Sequence, residues 1–322
     1  MIQTEELTKH FKDVKAVQGL TLTVRPGELV ALLGPNGAGK STTLRMLTTL
    51  IPPTSGTARV AGFDVVARQR DVRLRIGYIG QGNGAGHSQR GRDELISQGR
   101  AYGLRVGQAR RRAAELIDSL GLGEVADRTV ATLSGGQRRR LDIAMGLIHE
   151  PGLLFLDEPS TGLDPQNRAN LQEHILALRE RHGTTIVLTT HYLDEADSMA
   201  ERVIVVDHGR IIADDTPAAL KATHVGDSIR LGFDHETDVA AAAARLRFPR
   251  VRRDGLTLEI GVPGAPRLVP DLLEDLRAAG TAAASVEVTR PTLDDVFLRL
   301  TGRSLREGGA VAGTRSDELV EA

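Results

Sequence analysis

The chain has 322 residues, 40% hydrophobic and 26% charged, and its 41 Lys plus Arg against 42 Asp plus Glu leave a net charge of −1. This is the make-up of a globular protein long enough for one large domain and a smaller one, not of a disordered or fibrous chain. Balanced charge argues against dedicated nucleic-acid binding, the lack of Cys excludes disulfides, thiolate zinc sites and cysteine nucleophiles, and no apolar run reaches the roughly 20 residues of a membrane span.

The opening MIQTEELTKHFKDVKAV is polar and carries acids, unlike a signal peptide, so a cytosolic protein is expected. Residues 1–223 read as alternating strands and helices, an α/β pattern. Strands are predicted at Leu20–Val24, Glu28–Leu33, Arg75–Ile79, Leu153–Asp157, Thr185–Thr189 and Arg202–Asp207. Several are almost continuously apolar, as parallel strands covered on both faces should be. Helices are predicted after Lys40, over Val106–Leu120 and from the Ser134 segment onward. The Arg triplets 110–112 and 138–140 read as solvated helix faces.

Beyond residue 223 the texture turns Ala- and Arg-rich. The order there is strand Asp227–Phe233, helix Thr237–Leu246, a hairpin over Val251–Val262 turning at Asp254-Gly255, helix Pro266–Ala279, strand Ala284–Thr289 and helix Thr292–Leu300. Such a β-α-β-β-α-β order predicts a small α+β domain of ferredoxin-like type over 224–302. The polar, Gly-containing tail 303–322 is expected to be disordered.

Chemistry enters at Gly34-Pro35-Asn36-Gly37-Ala38-Gly39-Lys40-Ser41, which follows a predicted strand and opens a predicted helix. This fits G-x-x-x-x-G-K-[ST] in its strand–loop–helix setting. Glycines let backbone N–H groups converge on phosphate oxygens, and the helix adds its positive dipole end. Lys40 is placed to reach the β- and γ-phosphates and Ser41 to ligate Mg²⁺. The apolar Leu153–Leu156 run ends in Asp157-Glu158, at a strand's carboxyl end, on a strand expected to neighbour the phosphate loop. Asp157 would hold the metal through water and Glu158 would orient or deprotonate the attacking water. A second anion-binding turn, Ser134-Gly135-Gly136-Gln137, opens another helix. If the two turns do not share a face, two chains paired head to tail would enclose each nucleotide between them.

With LSGGQ at 133–137 between the phosphate loop and Asp157-Glu158, the sequence resembles the nucleotide-binding subunits of ABC transporters over residues 1 to about 223. The resemblance implies a P-loop NTPase of ABC-ATPase type that binds ATP and Mg²⁺, with Thr42 joining the phosphate-loop residues in nucleotide binding. It implies that Phe11 stacks on adenine and that Gln81 contacts Mg²⁺ and water and senses the membrane partner. It also implies that the loop Ser160–Asp164 crosses the dimer interface, with Asp164 at the nucleotide site, and that His191 contacts the γ-phosphate. The expected metal set is thus Ser41, Gln81 and Asp157, with Glu158, His191 and Gln81 as the catalytic set.

Arg290-Pro291-Thr292-Leu293-Asp294-Asp295-Val296-Phe297-Leu298 is similar to a segment of daunorubicin-resistance-type ATPase subunits. That likeness implies a homodimer working with a separate integral membrane permease, held through it at the inner face of the cell membrane, and exporting a hydrophobic drug or related compound. No nucleic-acid partner is expected. A soluble ABC-type ATPase acting on nucleic acid or ribosomes is the alternative, although those usually carry two cassettes, a coiled-coil insertion or zinc cysteines. One departure is the stretch Gly82–Leu95 after Gln81, rich in Gly where the family is more apolar, which predicts a mobile loop in the region that meets the permease.

Overall fold

The chain opens with alternation: in β1 (Ile2–Phe11) and β2 (Val14–Val24), buried Ile2, Thr4, Leu7, Leu20, Leu22 and Val24 are interspersed with exposed polar residues. Such patterning puts one face of an antiparallel pair on a core and the other in solvent. In the computed structural model, which describes residues 1–82, 84–86, 88–248, 250–262 and 264–303, these two strands pair as a hairpin. β3 (Leu29–Leu33) is buried at every position and leads through the phosphate loop into α1 (Lys40–Leu47). β4 (Ser55–Val60) and β5 (Phe63–Asp64) then complete an antiparallel sheet in the order β2-β1-β4-β5. The expected strand–helix alternation therefore does not hold for the first part of the chain. Register shifts within β1, between Thr4 and Leu7 among others, blur its period-2 pattern.

Next come α2 (Gln69–Arg73), β6 (Ile76–Ile79), α3 (Gly91–Ala101), α4 (Val106–Ser119), α5 (Gly135–Leu147), β7 (Leu153–Asp157), α6 (Pro165–His182), β8 (Thr185–Thr190), α7 (Leu193–Met199), β9 (Arg202–Asp207) and β10 (Arg210–Asp215). The second sheet has the order β10-β9-β3-β8-β7-β6; all its neighbours run parallel except β10 against β9. This order puts the carboxyl ends of β3, β8, β7 and β6 in a row, at the edge where open α/β sheets bind ligands. β8 lies between the strand of the phosphate loop and the strand of Asp157, so those two are not neighbours as expected. Leu32, Phe155, Val187 and Ile204 from this sheet share one core with Leu7, Leu20 and Val60 from the antiparallel sheet.

Met1–Thr216 form one compact unit, and a second begins at Pro217. α8 (Pro217–His224) packs on α11 (Leu293–Thr301) and so belongs to the second unit, whereas the sequence placed it before the boundary. Between them lie β11 (Ser228–Gly232), α9 (Glu236–Arg245), β12 (Arg250–Asp254), β13 (Thr257–Gly261), α10 (Ala265–Ala278) and β14 (Ser285–Thr289). The sheet order is β12-β13-β11-β14 with every neighbouring pair antiparallel, two β-α-β halves interleaved. Ile229, Leu231, Leu258 and Ile260 pack under Val239, Leu272 and Leu276. The Arg290–Leu298 segment is a helix start: Thr292 Oγ1 accepts from the Asp295 amide, Asp295 accepts from the Thr292 amide, and Leu293, Val296 and Phe297 are buried. Residues 304–322, nearly all of the expected disordered tail, lie outside the described residues.

Candidate nucleotide site

The phosphate loop is shaped by close approach. A Cβ at Gly34 would collide with the Val206 carbonyl, and one at Gly39, where φ is 102°, would collide with the Ala16 carbonyl. Gly39 caps α1, so the first amides of that helix face the loop's interior. Lys40 is 4% exposed; its Nζ donates to the carbonyls of Gly34 (2.7 Å) and Pro35 (3.1 Å) and lies 3.6 Å from Glu158 Oε1. Burial pushes its pKa below the ordinary lysine value, while Glu158 and then Asp157 pull it back.

Asn36, Gly37, Ala38, Gly39, Lys40, Ser41 and Thr42 line one end of a cavity of about 510 Å³, together with Gln81 and Glu158. Phe11, Val14, Lys15, Ala16, Gln18 and His208 line the rest. Phe11 is 46% exposed, outside the core, with the Lys9 ammonium 5.1 Å from its ring centroid. An exposed aromatic face of this kind is one on which a flat ring can stack. Lys15 thus stands on the cavity wall and Lys9 over the aromatic ring.

At the ends of β6, β7 and β8 the polar groups form one network. Ser41 Oγ donates to Asp157 Oδ1 (2.8 Å), Thr189 Oγ1 donates to the same oxygen (2.7 Å), and Gln81 Nε2 donates to Ser41 Oγ (3.2 Å). Asp157 is fully buried, and its Oδ2 has no hydrogen-bond partner. One carboxylate, a hydroxyl and an amide around a buried oxygen without a partner suit a hard divalent cation that takes its other ligands from phosphate and water. Among the described residues no group of three or more His, Asp or Glu could hold a metal alone.

Glu158 sits at φ 48°, a left-handed conformation rare for a non-glycine residue, held by its amide donating to the Thr189 carbonyl (3.1 Å) and Thr189 Oγ1 (3.0 Å). His191 Nδ1 stands 3.5 Å from Glu158 Oε2, and Thr161 Oγ1 donates to that oxygen at 3.3 Å. His191, outweighing the effect of burial and aided by Lys40, holds the Glu158 carboxyl below the ordinary glutamate range. The group is therefore ionised at neutral pH, able to accept a proton or orient water.

Ser134, Gly135, Gly136, Gln137 and Asp164 are not in this cavity. The turn closes on itself: Ser134 Oγ accepts from the Gln137 amide and Gln137 Oε1 accepts from the Ser134 amide. It rests on the Ser160–Asp164 loop and the start of α6: Gly135 approaches Leu163, and a Cβ at Gly136 would lie 2.5 Å from Asn167 Oδ1. Asp164 caps α6 by accepting from the Asn167 amide (2.9 Å).

Several residues here escaped the sequence reading. Arg139 is not on a solvated face but 8% exposed, its guanidinium directed at three backbone carbonyls. Asp142 is buried and holds the loop after Gln81, accepting from the amides of Gly84 and Ala85 (3.0 Å each). The stretch expected to be mobile is thus anchored at those amides, and α3 begins within it; its Asn83 and His87 lie outside the described residues. Glu195, nearly fully buried, accepts from Ser160 Oγ and so ties α7 to the Ser160–Asp164 loop. An acid inside an apolar helix was the available signal for Asp142.

The family model described as ABC transporter matches residues 17–161. A daunorubicin/doxorubicin resistance ATP-binding protein of Streptomyces peucetius is 44% identical, over 94% of this chain and 92% of the relative. A linearmycin resistance ATP-binding protein of Bacillus subtilis (strain 168) is 34% identical, over 95% of this chain and all of the relative. Among solved structures, cbiO1 from Clostridium perfringens, part of an ABC transporter complex, superposes with a TM-score of 0.64 at 28% identity, over 69% of this chain and 90% of that one. A dimeric bacterial ABC transporter cassette gives 0.62 at 25% identity, over 67% and 98%.

Proposed function

We propose that this chain, which belongs to the ATP-binding proteins of the ABC transporter family, pairs head to tail with a second copy around two ATP·Mg²⁺ and drives a separate membrane permease. The observation that carries the head-to-tail reading is the division of the site. Lys40, Ser41, Gln81, Asp157 and Glu158 meet in one network, while the Ser134–Gln137 turn lies outside their cavity and offers its hydroxyl and helix amides elsewhere. Each nucleotide would then touch the phosphate loop of one copy and the Ser134 turn of the other.

When bound, Mg²⁺ would neutralise charge on the β- and γ-phosphate oxygens, with Ser41, Gln81 and Asp157 as its holders on the protein. Lys40, buried and pressed between carbonyls and Glu158, would exchange these partners for phosphate oxygens at little desolvation cost. Ionised Glu158 would orient the attacking water and accept its proton, and His191 would meet the γ-phosphate from the end of β8. Phe11 would stack on the adenine. No residue forms a covalent intermediate; positioning and electrostatics carry the rate.

The relatives are named for resistance to daunorubicin, doxorubicin and linearmycin, and from this we infer a hydrophobic drug or related compound as cargo. We infer that a separate permease carries the cargo through the bilayer and holds this chain at the inner membrane face; no described helix is long and apolar enough to cross a membrane. The test is sedimentation of the Glu158→Gln protein with ATP and Mg²⁺. A dimer that needs nucleotide and is lost in Ser134→Arg supports the arrangement; a monomer at saturating ATP defeats it. For the transport reading, co-purification with a polytopic membrane protein is expected, and retention on ribosomes or DNA instead would overturn it.

A further inference from the structure

α5 is seated unusually close to β6. A Cβ at Gly77 would collide with the Gly146 carbonyl, and one at Gly146 would lie 2.6 Å from Ile79 Cδ1, so helix and strand meet almost backbone to backbone. From this seat two side chains spaced i and i+3 on α5, Arg139 and Asp142, reach the loop that carries Gln81.

They hold it on opposite sides. Arg139 Nη1 donates to the Gly80 carbonyl (2.7 Å), immediately before Gln81. Its Nη2 donates to the Asp157 carbonyl (3.2 Å) and its Nε to the Pro159 carbonyl (2.9 Å), the two residues flanking Glu158. One planar guanidinium thereby links the ends of β6 and β7. Asp142 Oδ1 accepts from the amides of Gly84 and Ala85, shortly after Gln81, and the approach is tight enough that a Cβ at Gly84 would stand 3.2 Å from that oxygen. Burial pushes the Asp142 carboxyl above the ordinary aspartate range, against the pull of the Ala85 and Gly84 amides and of nearby Arg139 and Arg138, and its Oδ2 is buried without a hydrogen-bond partner. Charged side chains are a costly way to fill an interior, since apolar residues of similar volume often serve stability as well or better. Their use here is geometric: each is aimed at backbone beside a group that faces the nucleotide.

We propose that Arg139 and Asp142 are positioning residues for ATP hydrolysis, holding the Gln81 loop from both ends so that Gln81 stays against Ser41 at a fixed distance from Glu158. This rests on the reading of Gln81 as part of the hydrolytic site. Neither side chain touches the cavity, so ATP binding itself is left to the phosphate loop and Phe11.

The test is a cycle in the full-length protein: Asp142→Ala and Asp142→Asn, each alone and combined with Gln81→Ala. Turnover is followed together with ATP affinity by calorimetry and amide hydrogen exchange over residues 80–86. Asp142→Ala is expected to lower kcat about 10-fold, the scale of a small misplacement of a reacting group, with ATP affinity changed less than about twofold. The Gly84 and Ala85 amides should exchange faster. Asp142→Asn, which keeps an oxygen acceptor, should recover most of the rate. On the Gln81→Ala background Asp142→Ala should add nothing.

An equal loss on both backgrounds, or an unchanged kcat in the single variant, overturns the proposal. Full turnover in Gln81→Ala would instead overturn the reading of Gln81 and the proposal with it, which separates the two failures. Should Asp142→Ala not fold, Arg139→Lys carries the same cycle, because an ammonium keeps the charge but cannot serve three carbonyls in one plane.

Discussion

The phosphate loop and the Ser134–Gln137 turn share a recipe, since each is a Gly-containing turn that opens a helix, yet they are finished to different degrees. The phosphate loop is locked from outside by Ala16 and Val206, its lysine is buried, and its serine joins a network reaching β6, β7 and β8. The Ser134 turn is closed by the two side-chain hydrogen bonds between Ser134 and Gln137 and exposes its serine. Two turns that look alike as motifs can therefore be tied into the chain to different degrees. What separates them is how many distant segments converge on each.

The largest break in this comparison should come from Glu158→Gln, which keeps the shape of the cradle and removes its base: kcat should fall by about 10²–10⁴ while ATP still binds. Turnover at the wild-type rate would remove Glu158 from its catalytic role. Lys40→Ala acts on binding instead, and loss of a charge-assisted contact to phosphate should weaken ATP affinity about 10–100-fold by calorimetry. Unchanged affinity would mean that the loop is not the phosphate site.

A smaller effect distinguishes the two turns directly. Ser134→Ala and Lys40→Ala proteins, each nearly inactive alone, should regain about a quarter of wild-type activity when mixed in equal amounts, because half the dimers are mixed and each has one intact site. No recovery would count against head-to-tail pairing. The smallest expected change is a titration. The folded pKa of Glu158 is depressed, so its contribution to stability is present above the ordinary carboxylate range and is lost as pH falls through the lower folded value. His191→Ala removes the main cause, so Glu158 should titrate at higher pH by NMR and its contribution should disappear earlier on acidification. An unmoved titration would show that the 3.5 Å approach of His191 does not exist in solution.

The same contrast explains what the sequence made legible. Gly34–Ser41 and Asp157-Glu158 could be read because their chemistry is contained in a few consecutive residues after an apolar strand. Arg139 could not, since its partners Gly80, Asp157 and Pro159 come from two other strand ends and a triplet of arginines looks like a wet surface. The opening antiparallel sheet was missed for a related reason: Glu5 and Glu6 sit at a register shift in β1, where the alternation that marks a strand skips a step. In the second unit, the turn at Asp254-Gly255 and the helix start at Thr292 are fixed by local rules, which is why they are visible in sequence.

The meeting of three segments at Ala16 has a consequence for how the molecule is made. Its carbonyl abuts both Gly39 and Gly209, while the Gly209 amide donates to the Ala38 carbonyl (2.9 Å) and the Gly209 carbonyl accepts from the Gln18 amide (2.8 Å). A nascent chain that has emerged only through β8 lacks Gly209, and with it every one of these contacts, whatever else has folded. The motif most readable near the start of the sequence is thus among the last pieces of its unit to gain all of its supporting contacts during synthesis.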